Sequence, residues 1–145
     1  MNTLILGIGN LLLCDEGVGV HVARALAGRH LPPDVSVVEA GTAFLDVLPD
    51  IEKADRILLI DAMEAGGAPG SVYRMPFDQC LHPEMLASLH GFDLSRVLYM
   101  AGRNRAPEVT VFGIEPALIE WGTELSPAIK RAFPAVEEAI LNELR

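Results

Sequence analysis

The sequence predicts an α/β fold, a three-layer α/β/α sandwich with a mostly parallel twisted sheet of about five strands. Short apolar runs alternate with segments whose apolar residues repeat at helical spacing, a pattern typical of a parallel sheet between helices. The strand-like runs are almost continuously apolar, as expected for strands covered on both faces. The length of 145 residues fits a single domain covering residues 1–145.

The first half of the chain predicts three strands and two helices. Thr3–Ile8 is an almost entirely apolar strand, and the next segment carries Val18, Val22 and Leu26 on one helical face. Asp15 precedes this helix and is expected to cap its start. The expected bounds are Glu16–Gly28 for this helix, Val35–Ala40 for the second strand, Phe44–Lys53 for the second helix and Arg56–Met63 for the third strand.

The second half begins with a loop at Glu64–Gly70, indicated by its glycines and proline. Pro76 marks the strand after this loop as an edge strand, because proline cannot donate to a neighbouring strand. Ser126 and Pro127 have the residue types of a helix start, and Pro134 is expected to split or kink that helix. The expected bounds are Ser71–Phe77 and Val109–Ile114 for strands, and Leu81–Leu89 and Asp93–Gly102 for helices.

The composition of the chain disfavours several classes of partner. The chain has 11 Lys and Arg against 20 Asp and Glu, a net charge of −9, which disfavours nucleic acid and anionic membranes. No apolar run approaches the length of a membrane span, and no signal peptide is recognisable at the start. Two cysteines make no disulfide framework, so a cytoplasmic protein with free thiols is expected.

Three polar side chains are candidates for chemistry because of their positions. Glu16 follows the first predicted strand, Asp61 ends the third, and His90 precedes a predicted helix. The first and third strands are neighbours in the usual order of such sheets, so their carboxyl ends would bring the two carboxylates together. Two oxygens and one nitrogen form a ligand set suited to a divalent transition metal with open positions.

Each of these residues also has a purely structural interpretation. Glu16 can complement the positive end of its helix, Asp61 can bind amides of the following loop, and His90 can simply begin a helix. A nucleophilic thiol at Cys14 is a further alternative, although free cysteines are more often buried and inert. Spacing alone therefore indicates a metal site only weakly.

The segment Gly7-Ile8-Gly9 raises the alternative of a nucleotide-dependent enzyme. A dinucleotide-binding turn has a third glycine three residues after the second, whereas this chain has Leu12 there. The carboxylate of Glu16 follows where a phosphate would sit, and like charges repel. Both features disfavour nucleotide binding.

Several segments together resemble the maturation endopeptidases of nickel-iron hydrogenases. The first, "GIGNLLLCDEGVGVHVARAL", is long and specific, and the others follow in the same order along most of the chain. The first segment is Gly7–Leu26. The others are "EAGT" at Glu39–Thr42, "LLIDAMEAGGAPG" at Leu58–Gly70, "SLHGFDL" at Ser88–Leu94, and "FGIEP" at Phe112–Pro116.

The resemblance implies an enzyme that removes a C-terminal extension from a nickel-loaded hydrogenase large-subunit precursor. It also implies that Glu16, Asp61 and His90 bind nickel, which the precursor carries and the free enzyme binds only weakly. Asp61 or Glu16 is then the candidate base. A non-catalytic maturation chaperone with the same cleft remains the alternative.

One segment departs from the pattern of the family. Glu39 and Ala40 stand where the family often has Asp and Gly, while Gly41 and Thr42 match it. Glu39 keeps the negative charge on a longer side chain. We therefore expect Gly41, Thr42 and Glu39 to line the cleft.

Overall fold

The computed structural model describes residues 1–41, 44–79 and 107–145, together with Tyr99. In this part of the chain there are five strands, β1 (Thr3–Ile8), β2 (Val35–Gly41), β3 (Arg56–Ala62), β4 (Val72–Pro76) and β5 (Glu108–Ile114). They form one sheet in the order β2-β1-β3-β5-β4. β4 pairs antiparallel with β5 at the edge, and the other neighbouring strands are parallel. The predicted α/β fold, the pairing of the first and third strands, and the edge position of the Pro76 strand are confirmed.

The helices of the described segments cover both faces of the sheet, as predicted. Alternate residues of the central strands supply the two cores, because successive side chains of a strand point to opposite faces. Leu4 and Leu6 pack on one face of the sheet, in the core that includes Ile51. Ile5 packs on the other face, in the core that includes Val22 and Ile129. The helices are α1 (Val18–Ala27), α2 (Leu48–Lys53) and α3 (Pro127–Glu143), and short 3-10 helices cover Cys14–Gly17, Phe44–Val47 and Phe77–Gln79.

Three predictions about helix bounds and continuity are wrong in detail. The second helix was expected over Phe44–Lys53, but α2 begins at Leu48, after a 3-10 turn over Phe44–Val47. The α-helix after β1 begins at Val18 rather than at Glu16, because a 3-10 turn over Cys14–Gly17 precedes it. The last helix is not split, since α3 runs without interruption through Pro134. Val136 and Ile140 follow Pro134 and are fully buried in the core of α1 and α3. This burial keeps the helix intact beyond a residue that cannot donate a backbone hydrogen bond.

The predicted helices Leu81–Leu89 and Asp93–Gly102 fall outside the described residues, apart from the single position Tyr99. Among the described helices, none combines the length and the apolar character that crossing a membrane requires.

Candidate active site

The turn after β1 brings Glu16 back over the end of the strand. Gly9 has a φ of +138°, and a Cβ atom there would lie 2.1 Å from the backbone oxygen of Glu16. Only glycine permits both this conformation and this close approach. The amide of Gly9 also donates to the backbone oxygen of Gly41, 3.1 Å away, which ties the turn to the end of β2.

The start of α1 lies directly on the carboxyl ends of the two central strands. A Cβ atom at Gly19 would lie 2.1 Å from the backbone oxygen of Ile60 and 2.4 Å from that of Ile8. Because β1 and β3 are paired, this contact fixes the distance between the Glu16 turn and the residue that follows Ile60. That residue is Asp61.

Asp15 anchors the turn from the opposite side. Its side chain is completely buried and accepts hydrogen bonds from the amides of Ala117, Leu118 and Ser126 and from the hydroxyl of Ser126, at 2.7–2.9 Å. The predicted cap on α1 is therefore wrong, because Gly17 occupies the cap position and no side chain caps it. Asp15 instead holds the residue beside it, Glu16, against the segment after β5.

Asp61 is completely buried at the carboxyl end of β3. Its Oδ1 accepts the amide of Ala62 at 2.8 Å, but its Oδ2 has no hydrogen-bond partner among the described residues. Burial raises the pKa of the Asp61 carboxyl well above its usual value; the Ala62 amide opposes this rise, and the negative charge of Glu16 adds to it. Among the described residues, nothing therefore compensates for burial at Oδ2 of Asp61.

Glu16 is 5% exposed, and its charge acts directly on Asp61. Two carboxylates in a buried site need a shared proton or a cation between them. The oxygen donors and the unpartnered Oδ2 of Asp61 fit a divalent cation. Within residues 1–41, 44–79 and 107–145, however, no three His, Cys, Asp or Glu side chains form a group that could hold a metal ion.

The predicted third ligand, His90, and the predicted cleft residue Thr42 lie outside the described residues. Gly41 ends β2 with a φ of +56°, beside Gly9. Glu39 lies on β2, where both of its oxygens accept from Arg24 at 2.7 and 2.9 Å. This ion pair lowers the pKa of Glu39, first through the hydrogen bond from Arg24. The roles assigned to all four residues remain predictions.

Glu115, which was not predicted as a site residue, follows β5 at the same edge of the sheet. It is 6% exposed, and its Oε1 accepts from the amides of Ala65 and Gly67 and from the hydroxyl of Tyr73, at 2.8–2.9 Å. Burial alone would raise the pKa of Glu115, but these donors outweigh it and lower the pKa. The available signal was an acidic residue directly after a buried strand, as for Asp61.

Two alternatives find no support in this geometry. The backbone oxygen of Glu16 fills the space at Gly9, where a dinucleotide-binding turn would need room for phosphate. Cys14 is buried, and its Sγ lies so close to Gly122 that a Cβ atom there would be 2.7 Å away. The thiol is therefore a packing group between the turn and the segment after β5.

Residues 20–143 of the chain match the model of a protein family described as hydrogenase maturation protease. The hydrogenase 2 maturation protease of Escherichia coli is 30% identical over 152 residues, which cover all of this chain and 92% of that protein. A hydrogenase expression/formation protein, HupD, of Thiocapsa roseopersicina is 35% identical over 94% of the chain, which spans only 65% of that relative's length.

Solved structures agree with these sequence matches. The hydrogenase maturating endopeptidase HybD from Escherichia coli superposes with a TM-score of 0.87 at 30% identity, covering all of this chain and 93% of that one. The nickel-iron hydrogenase maturation protease HybD from Thermococcus kodakarensis superposes with a TM-score of 0.77 at 27% identity, and the match covers both chains completely.

Proposed function

The chain belongs to the hydrogenase maturation protease family, and we propose that it is the endopeptidase that trims a nickel-iron hydrogenase large-subunit precursor. The cut removes the C-terminal extension of the precursor after nickel has been inserted. The observation that carries this proposal is the buried pair of Asp61 and Glu16. The Oδ2 atom of Asp61 has no hydrogen-bond partner in the described part of the chain. A buried charge without compensation costs stability, and such sites are typical of function.

Nickel enters this proposal as part of the substrate. The precursor holds the ion through cysteine thiolates, and Glu16, Asp61 and His90 add oxygen and nitrogen ligands from the enzyme. Binding then depends on metal insertion, so the enzyme distinguishes loaded from empty precursor. The free enzyme, with an incomplete set of ligands, binds metal only weakly.

Asp61 and Glu16 are also the candidate bases for peptide hydrolysis. Burial raises the pKa of Asp61 above that of an ordinary aspartate, and a carboxylate with a higher pKa is a stronger base. Gly41, Thr42 and Glu39 line the cleft in this proposal, and Gly41 and Glu39 belong to β2. The cytoplasm is the proposed compartment, because the two cysteines of the chain make no disulfide framework.

The test is cleavage of the precursor, loaded with nickel or metal-free, by the parent protein. We expect cleavage of the loaded form only. Equal cleavage of both forms would exclude nickel as the recognition element. Binding of the loaded form without cleavage would instead support the alternative of a maturation chaperone.

Variants then test the assigned residues. Asp61→Asn and His90→Ala are expected to reduce cleavage by about 100-fold or more, and Glu16→Gln by less, since its amide oxygen can still coordinate. Cys14→Ala is the control and is expected to retain cleavage. Parental rates for all three site variants would contradict the assignment.

A further inference from the structure

Exposed apolar side chains are concentrated beside the Glu16 turn. Among the described residues, six large apolar side chains are exposed, and four of them lie on two neighbouring segments. We call these four the apolar patch. They are Leu12 (54% exposed), Leu118 (37%), Ile119 (37%) and Trp121 (80%).

Backbone hydrogen bonds hold the two segments of the apolar patch together. The amide of Gly122 donates to the backbone oxygen of Leu12, and the amide of Cys14 donates to that of Gly122, both at 2.9 Å. The amide of Asp15 donates to Leu118, whose own amide donates to the Asp15 carboxylate. The patch is therefore preorganised, which reduces the entropy lost when a partner binds.

A cavity of about 400 Å³ adjoins the apolar patch. Leu118 and Ile119 contribute to its lining, as do Glu64 and Gly66 of the loop after β3. Glu64 lies three residues beyond Asp61 along the chain. A partner seated on the patch and in this cavity would therefore lie at the edge of the sheet that holds Asp61 and Glu16.

The surroundings of the apolar patch are acidic. Glu64, which lines the cavity, and Glu120, which stands between Ile119 and Trp121, are both exposed, and the chain as a whole has a net charge of −9. A second copy of the chain would place acidic groups against acidic groups there. A partner with apolar side chains next to basic ones would instead be complementary.

We propose that the apolar patch docks the hydrogenase precursor, through an apolar segment of the precursor that has basic side chains beside it. This docking surface rests on the proposed function and adds a second contact to it, independent of nickel. The apolar patch supplies affinity for the polypeptide of the precursor, whereas the carboxylates of Glu16 and Asp61 bind its nickel. Aromatic side chains such as Trp121 commonly supply much of the binding energy in such contacts.

Fluorescence offers a direct test, because Trp121 is the only tryptophan of the chain. We would record the emission of the parent mixed with nickel-loaded precursor and subtract the emission of the Trp121→Phe variant mixed with the same precursor. The subtraction removes the signal of any tryptophan in the precursor. The Trp121 emission is expected to shift to shorter wavelength as the side chain becomes buried. An unchanged emission during complete processing would overturn the proposal.

Kinetics provide the second test. Trp121→Ala, and separately Leu12→Ser, should raise KM for the precursor about 10-fold and change kcat less than about twofold. Glu120→Lys should also raise KM. The control is Asp34→Lys, which makes the same charge change. Asp34 lies just before β2, at the amino ends of the parallel strands, whereas the apolar patch lies at their carboxyl ends. Its kinetics should match those of the parent.

The outcomes separate this proposal from the proposed function. If the parent does not cleave the precursor, the proposed function fails. If the parent cleaves and the variants at Trp121 and Leu12 keep its KM, only the docking surface fails. A blue shift of Trp121 that depends on enzyme concentration, without precursor, would overturn it in favour of self-association. Equal KM changes in Glu120→Lys and Asp34→Lys would overturn the charge argument.

Discussion

Asp15 and Asp61 are both completely shielded from solvent at the same edge of the sheet, yet their surroundings differ. Asp15 accepts four hydrogen bonds, whereas Asp61 accepts one and leaves its Oδ2 without a partner among the described residues. Burial of a carboxylate is costly unless hydrogen bonds compensate for it. Asp15 therefore holds two segments together, whereas the described residues leave Oδ2 of Asp61 open, as its proposed role in chemistry requires.

The largest effect is expected when the compensated aspartate is removed. Asp15→Ala leaves three amides and one hydroxyl without their acceptor in a buried place, so we expect a loss of at least ~3 kcal/mol of unfolding free energy. Chemical denaturation measures this loss. Asp15→Asn, which keeps one acceptor oxygen, should lose less. A loss below about 1 kcal/mol for the alanine variant would show that these bonds contribute little.

A change of the opposite sign in unfolding free energy is expected for Asp61, whose Oδ2 has no partner in the part of the chain that the structure describes. Asp61→Asn removes a buried charge, so at neutral pH the variant should be more stable than the parent by about 1–3 kcal/mol. The pKa of Asp61 is raised in the folded protein, so its protonated form favours folding, and this contribution is lost as pH rises. The advantage of the variant should therefore shrink on acidification and vanish below the usual aspartate pKa of 3.8. Denaturation across this pH range tests the prediction, and a less stable variant at neutral pH contradicts it.

Glu115 extends the comparison to a third carboxylate of this edge. Its hydrogen bond with the hydroxyl of Tyr73 is the main cause of the raised pKa of Tyr73; burial and the charge of Glu115 add to it. Glu115→Gln should therefore lower the pKa of Tyr73 towards its ordinary value of 10.0. The chain has only two tyrosines, so an ultraviolet titration follows the change. Identical titration curves for variant and parent would contradict the hydrogen bond between the Tyr73 hydroxyl and Glu115.

The smallest effect on stability is expected at Glu39. Its ion pair with Arg24 is exposed, with 42% of the Glu39 side chain accessible, and such pairs contribute little. Glu39→Gln should change Tm less than any other variant in this series. Precursor cleavage by the same variant tests whether Glu39 lines the cleft, since a loss of cleavage without a loss of stability would support that role.

The sequence predicted the parts of this molecule that depend on local patterns. Continuous apolar runs placed β1, β3 and β5 to within one or two residues, and the position of Asp61 at the end of β3 followed from them. Ser126 was recognised as a helix start, and in the structure its hydroxyl accepts the amide of Ile129.

Contacts between distant segments could not be predicted in this way. Asp15 resembles a helix cap when only its neighbours are considered, but its partners lie more than 100 residues away. Glu115 was overlooked for the same reason, because its donors belong to the loop after β3 and to Tyr73 on β4. Pro134 predicted a break, and only the burial of Val136 and Ile140 explains why α3 continues.

The separation in sequence between Asp15 and its partners has a consequence for biosynthesis. Its hydrogen bonds join residues 102 to 111 positions apart. Contacts over such distances form late, since a long loop must close first. A nascent chain that has not yet reached Ala117 therefore already contains Glu16 and Asp61, but lacks every group that the Asp15 carboxylate binds. The Glu16 turn gains this anchor only after the segment from Ala117 to Ser126 has been synthesised and has docked.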